Sequence, residues 1–183
     1  MPMPTPLPAP APLAIHIRPF RPGDAPLLLT VFRSAVRLIA CRDYSPAQIA
    51  AWAPDDIDPA AWAARMQALS PFVACLDGGE GDSAGERADG VVGYADLQPS
   101  GYIDHFFVSG DYPARGVGRA LMQRLHAQAG TWGLQSLHAD VSVTAEPFFA
   151  RHGFEVMERR MPVRRGVALP NALMRKLLLR TFP

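Results

Sequence analysis

A mixed α/β fold, with one central sheet of mixed strand direction and helices on both faces, follows from three features of the sequence. Segments that read as strands outnumber those with helical spacing, and the two kinds alternate in a mixed order. The 183 residues suffice for one domain with a sizeable core, and no break in composition asks for a second. The stretch Tyr102 to Gly130, YIDHFFVSGDYPARGVGRALMQRLHAQAG, passes from an aromatic, β-branched run through a short glycine loop into a helical pattern.

In chain order, residues 1–14, MPMPTPLPAPAPLA, are proline-rich and read as a flexible tail. The segment lacks a basic start and a continuous apolar run, so it is expected to be neither signal peptide nor membrane span. Ile15 to Phe20 alternates and reads as the first strand of a single domain over 15–183. Asp24 is placed to cap a helix whose buried face carries Leu28, Phe32, Val36 and Ile39 and which runs to about Ala40. Ser45-Pro46-Ala47-Gln48 spells a capping box for a short helix through Trp52, and Asp58-Pro59 starts another that ends near Leu69.

Phe72 to Leu76 and Gly90 to Leu97 read as a strand pair. Between them, residues 77–89 are polar and glycine-rich, a flexible hairpin insertion. After the central strand and helix, Leu137 to Val143 alternates, with Leu137, Ala139, Val141 and Val143 on one face and His138, Asp140 and Ser142 on the other. Thr144 is placed to cap a short helix that Gly153 stops. Phe154 to Arg160 and Leu173 to Leu179 close the sheet, joined by a basic loop through Arg164 and Arg165.

The glycine loop carries the chemistry. In Arg115-Gly116-Val117-Gly118 the missing Cβ atoms let backbone approach a ligand, and the free N–H groups of the first helical turn favour an anion such as pyrophosphate. No Lys-Ser/Thr follows, as a P-loop needs, and no third glycine completes a dinucleotide fingerprint.

PARGVGRALM resembles the acetyl-CoA signature of the GNAT superfamily of N-acetyltransferases, Gln/Arg-x-x-Gly-x-Gly/Ala, with Gly116 and Gly118 in the glycine positions. Downstream, Ser142 to Phe154 is similar to the family's second signature, Asn-x-x-Ala-x-x-Phe-Tyr-x-x-x-Gly-Phe. Both stand in the family's order and spacing, and the resemblance covers roughly residues 15 to 180; the helices around DYSPAQIAAWAPDDID are similar to an uncharacterised bacterial subgroup. The resemblance implies a mostly antiparallel sheet splayed at its middle, acetyl-CoA as the donor, and transfer of the acetyl group to a primary amine by direct attack in a ternary complex.

It also implies roles for particular residues. Phe106, Phe107 and Val108 supply backbone donors to the oxyanion, while amides from Arg115, Gly116, Val117, Gly118, Arg119 and Ala120 hold the pyrophosphate. Pro113 stands where the family prefers Gln or Arg, and it lacks an N–H. Asp104 and His105, neighbours on one strand, point to opposite faces, so one of them looks into the site. Asp104 ranks first as the base by its parity with Phe106 and Val108, while His105 has the more suitable unperturbed pKa, about 6.5. Phe149 replaces the family's tyrosine and cannot protonate the leaving thiolate, which leaves Ser142, a water or no acid at all. Ser142 replaces an asparagine that bonds pantetheine, and Phe149 also packs against the cofactor side.

Tyr44, Trp52 and Tyr102 are the expected acceptor-lining groups, and Asp55, Asp56 and Asp58 form an acidic edge that could attract an amine. The acceptor is expected to be a small-molecule amine. A formal net charge of +1 without a basic cluster excludes nucleic acid. Cys41 and Cys75 have no metal-ligand spacing and read as reduced, buried thiols, which suits the cytoplasm. The family frequently dimerises, though no feature here identifies an interface. An alternative function is an acyl-CoA-binding sensor whose catalysis is weak or lost, suggested by Phe149 and Pro113.

Overall fold

A computed structural model describes residues 14–76 and 90–178 of the chain. The expected tail, apart from Ala14, and the expected insertion at 77–89 fall outside the described residues. The strands are β1 (Ile15–Pro19), β2 (Phe72–Leu76), β3 (Gly90–Ala95), β4 (Tyr102–Ile103), β5 (Phe106–Val108), β6 (Ser136–Ser142), β7 (Glu155–Arg160), β8 (Val163–Arg164), β9 (Val167–Ala168) and β10 (Asn171–Leu177). The helices are α1 (Ala25–Ser34), α2 (Pro46–Trp52), α3 (Pro59–Leu69), α4 (Val117–Thr131) and α5 (Glu146–Arg151).

The strands build two four-stranded sheets, ordered β1-β2-β3-β5 and β4-β6-β10-β7, and every pairing in them is antiparallel except β4 with β6. The chain crosses from one sheet to the other between Ile103 and Phe106. This is the mixed, mostly antiparallel, splayed sheet expected, and its fork lies inside what the sequence presents as one continuous strand. Helix α4 packs on β1, β2 and β3, while α1 covers β3 and β5 from the opposite face with α3 beside it.

Two apolar clusters mark the two faces. Beneath α4, Val117, Leu121, Met122 and Leu125 meet Ala74, Val92, Ala139 and Met174. On the other face Leu28, Phe32, Trp62 and Met66 meet Val73, Cys75 and Tyr94. These side chains come from helical spacing on one layer and period-two spacing on the other, so burial follows the residue pattern.

Several local expectations meet different physics. Ser45 and Gln48 form the capping box, and the Asp58 carboxylate accepts from Ala60 N and Ala61 N. Asp24 does not cap with its side chain: its carboxylate accepts two bonds from the Arg18 guanidinium, at 2.7 and 2.8 Å, and one from Arg21 N. Thr144 does not cap either, because its hydroxyl donates to Asp43, and Ala145 takes the N-cap position of α5. The helix expected to run to Ala40 leaves α geometry at Ala35, continuing as a π-helical turn through Ile39 and a 3₁₀ turn over Ala40–Arg42. Cys75 is buried, but Cys41, on that last turn, is exposed. The basic loop holds a small hairpin, β8 and β9, with Arg165 and Gly166 at its tip in the left-handed region. Among the described residues no helix is long and apolar enough to cross a membrane.

Candidate active site

A cleft of about 590 Å³ opens at the fork. Its walls are β5 with Ile103 and Asp104 on one side, β6 on the other, the π-helical turn above, and the loop into α4 with α5 at the far end.

The register of β5 on β3 decides which backbone groups face this cleft. Asp96 N donates to His105 O and Ser109 N donates to Val92 O, so 105, 107 and 109 present their backbone groups to β3. In an antiparallel ladder the intervening residues point the other way. Phe106 and Val108 therefore turn their N–H groups toward the cleft, on the edge of β5 that has no strand partner among the described residues. Phe107 does not share that role, since its backbone pairs with Tyr94 and its ring packs edge-on against Phe32.

Gly116 is the N-cap of α4 with φ +85°, a conformation that glycine adopts without strain. A Cβ at Gly118 would lie 3.1 Å from the Phe148 ring, so this glycine keeps backbone close to a cleft wall. Ala120 is a correction: its N–H donates to Gly116 O at 3.0 Å, so the free donors of the first turn end at Arg119. Arg42, Arg115, Arg119, Arg151 and His152 also line the cleft, Arg115 and Arg119 at the start of α4 and Arg151 and His152 at the end of α5.

Carboxylates line the other end, from Asp104 and Asp140. Asp104 accepts from Arg65 at 2.7 Å, and Asp140 accepts from Arg160 at 2.9 Å and from the Tyr102 hydroxyl at 3.2 Å. Burial first, then the Asp140 charge, pushes the Tyr102 phenol up to about 12, so it stays a donor. The cleft thus carries arginines where the glycine loop lies, and at the fork carboxylates that are each paired with an arginine.

Asp104 and His105 do not sit on a continuous strand, as alternation suggested, but in the break between β4 and β5. Asp104 lines the cleft, whereas His105 is only 8% exposed and points into the core beneath α1, near Phe32, Trp62 and Tyr94. The Arg65 Nε–H donates to His105 Nε2 at 3.3 Å, which leaves the proton on Nδ1, 3.0 Å from the Tyr94 hydroxyl. Burial lowers the His105 pKa, and the Arg65 and Arg164 charges add to that against the pull of Asp104. His105 is therefore a neutral imidazole with both nitrogens engaged.

Ser142 lines the cleft, and its Oγ accepts from Ala145 N at 3.2 Å, leaving its hydroxyl proton free to donate elsewhere. Phe149 is buried against Phe106, Phe148 and Phe154, with one edge on the cleft. Trp52 also lines the cleft. Tyr44 and Tyr102 do not: the Tyr44 hydroxyl donates to Pro170 O at 2.5 Å and accepts from Val143 N at 3.0 Å, and Tyr102 acts through Asp140. The acidic edge is already neutralised, with Asp55 on Arg37, Asp56 on Arg165 and Asp58 on its helix cap. Asp55 and Asp56 belong to a separate pocket of about 610 Å³ between α2 and the β8–β9 hairpin.

Sequence reasoning missed Arg65, Asp140 with Arg160, and Asp96. Asp96 has no exposed surface, and its Oδ1 accepts from Asp104 N at 3.1 Å and from His105 N at 2.6 Å. A signal was present, since an aspartate inside the apolar run GVVGYADL must be paired if that run is buried.

A sheet forked beside a glycine loop at a helix N-terminus, with backbone donors on one open edge and a basic far end, defines an acyl-CoA-handling fold of the N-acetyltransferase type. The acetyltransferase (GNAT) domain family matches residues 40–176, and the chain belongs to that family. It is 34% identical over 161 residues to the uncharacterised N-acetyltransferase YafP of Escherichia coli K12, across 88% of this chain and 95% of that protein. It is 32% identical to the aminoglycoside N(6′)-acetyltransferase type 1 of Stenotrophomonas maltophilia, across 67% of this chain and 92% of that one. The structure of a GCN5-related N-acetyltransferase from Rhodopseudomonas palustris superposes with a TM-score of 0.80 at 32% identity, covering 91% of this chain and 98% of that chain. This chain is therefore an acyltransferase of the GNAT superfamily.

Proposed function

We propose that the protein moves an acetyl group from acetyl-CoA to the primary amine of a small molecule, by direct attack while both substrates are bound. The observation that carries this reading is the layout of the cleft. Free amides and arginines gather at the α4 end, where a polyanionic donor would be held, and Asp104 and Asp140, each also held by an arginine, stand at the fork, where the amine would be received. The likeness to an aminoglycoside acetyltransferase supports an amine of small-molecule size.

The chemistry follows from the groups at hand. Amides of Arg115 to Arg119 and the two arginine side chains suit the pyrophosphate. The N–H groups of Phe106 and Val108 suit the oxyanion that forms when the amine nitrogen attacks the thioester carbon. Asp104 takes the proton of the attacking ammonium, directly or through one water, because it faces the cleft while the His105 nitrogens are occupied. As the tetrahedral centre collapses, the C–S bond breaks, and the Ser142 hydroxyl can donate to the departing thiolate.

The test is release of CoA thiol against a panel of amines. Amine-dependent release is expected for one class, and Asp104→Asn should lower kcat roughly tenfold to a thousandfold while acetyl-CoA still binds. A second reading, an acyl-CoA-binding regulatory module, draws on Phe149, which brings no hydroxyl to the cleft. Binding without turnover across the panel would favour it.

A further inference from the structure

The fork poses a problem of backbone satisfaction. Between β4, paired with β6, and β5, paired with β3, the N–H groups of Asp104 and His105 leave both ladders. Buried amides need an acceptor. One side chain supplies it for both: Asp96, one residue beyond the end of β3, places Oδ1 between them at 3.1 and 2.6 Å, while Gln98 Nε2 holds Oδ2 at 3.0 Å. The backbone of the same residue donates to His105 O at 3.1 Å, so Asp96 grips His105 from both its N–H and its carbonyl.

We propose that Asp96 is a positioning residue for acyl transfer, its carboxylate pinning the fork and with it the placement of the Asp104 carboxylate and the Phe106 N–H. The inference rests on the function proposed above, because it assigns Asp96 to the reaction of that cleft. Three details make it more than core packing. The bonds fall on the two residues that join the sheets; one of those residues carries the carboxylate that faces the cleft; and the next residue, Phe106, begins the strand edge whose amides are free. Loss of the shared acceptor would let the Asp104 and His105 N–H groups turn toward water, rotating the Asp104 side chain and the Phe106 amide together. The phosphate-binding amides lie on a different element, after β5, and would stay in place.

The experiment compares Asp96→Asn with Asp96→Ala in the full-length protein by three readouts. These are amide hydrogen exchange at Asp104 and His105, acetyl-CoA Kd by calorimetry, and kcat with the best amine found. The asparagine of Asp96→Asn would keep an acceptor oxygen for both amides, with Gln98 turned to present its carbonyl, so slow exchange and kcat within about threefold of the parent are expected. Asp96→Ala is expected to speed exchange at both amides and to lower kcat roughly tenfold to a hundredfold, with acetyl-CoA Kd little changed. A residue that only supports the fold would move thermal stability and leave the kcat of the folded protein alone. A folded Asp96→Ala protein with unchanged kcat, or Asp96→Asn as impaired as Asp96→Ala, overturns the proposal.

Should Asp96→Ala not fold, Gln98→Ala carries the same test from a partly exposed position. Faster exchange with lowered kcat supports the role, and no change in either overturns it. If the parent protein transfers acetyl to no amine, it is the functional reading that fails, and the exchange data still decide whether Asp96 holds the fork.

Discussion

Burial raises the pKa of Asp96 to about 6, with the Asp104 charge adding to that and the amides of His105 and Asp104 and the Gln98 side chain opposing it. The unfolded chain titrates near the ordinary carboxylate value, so the folded state binds this proton more tightly. The stability gained from Asp96 is then fully present below the unfolded value and is lost as pH rises through about 6. Asparagine is the permanent neutral analogue. Asp96→Asn should therefore gain stability relative to the parent protein as pH rises from about 4 to 7, by about 3 kcal/mol at most. Urea unfolding at a series of pH values measures this, and a constant difference between the two proteins would refute it. At Tyr44 the hydroxyl links the segment after α1 to both the end of β6 and the start of β10. Tyr44→Phe strands the half-buried Val143 N–H and is expected to cost about 1–3 kcal/mol in the same assay. The capping residues Ser45 and Asp58 were legible because their partners are local in sequence. Asp96, Arg65 and Tyr44 were not, because their partners lie 9, 39 and up to 126 positions away.

Among the elements, the loop into α4 was the most readable, since glycine spacing and helical periodicity both speak within about ten residues. Its two glycines do different work, and substitutions should separate them. Gly116 needs a positive φ but has open space, a Cβ there meeting only Ile15 Cδ1 at 4.0 Å. Gly116→Ala should thus lower stability by about 1 kcal/mol through backbone strain. Gly118 is confined instead, its Cβ 3.1 Å from the Phe148 ring on the cleft wall. Gly118→Ala should leave stability nearly unchanged and weaken acetyl-CoA about tenfold, equivalent to roughly 1.4 kcal/mol. Thermal unfolding and calorimetry on the two variants read these effects apart, and equal losses in both assays would contradict the distinction. The break in the central strand was illegible. Tyr102 to Val108 keeps the aromatic and β-branched character of one strand throughout, and only pairing with β3 and β6 divides it. The π-helical turn was hidden for a related reason: Val36 and Ile39 keep helical spacing, and the extra residue per turn falls in the segment that lines the cleft.

Across the molecule as a whole, the alternation of strands and helices and the two signature stretches made the mixed sheet and its splay readable before any coordinates. Both are properties of the chain's apolar pattern and of a family resemblance that the matched domain supports. The electrostatic arrangement was less visible. A near-neutral chain gave no hint that arginines gather at one end of its cleft and arginine-paired carboxylates at the other, because the charges involved come from α4, α5, β6 and the fork and meet only after folding. The proposed function depends above all on this cleft holding acetyl-CoA by the amides and arginines at the start of α4. Calorimetric titration of the protein with acetyl-CoA, repeated with Arg119→Ala, is the decisive experiment. Saturable one-to-one binding is expected, weakened about tenfold in the variant by loss of a charged hydrogen bond. No heat of binding at millimolar acetyl-CoA, in protein shown to be folded, would rule that cleft out as the donor site.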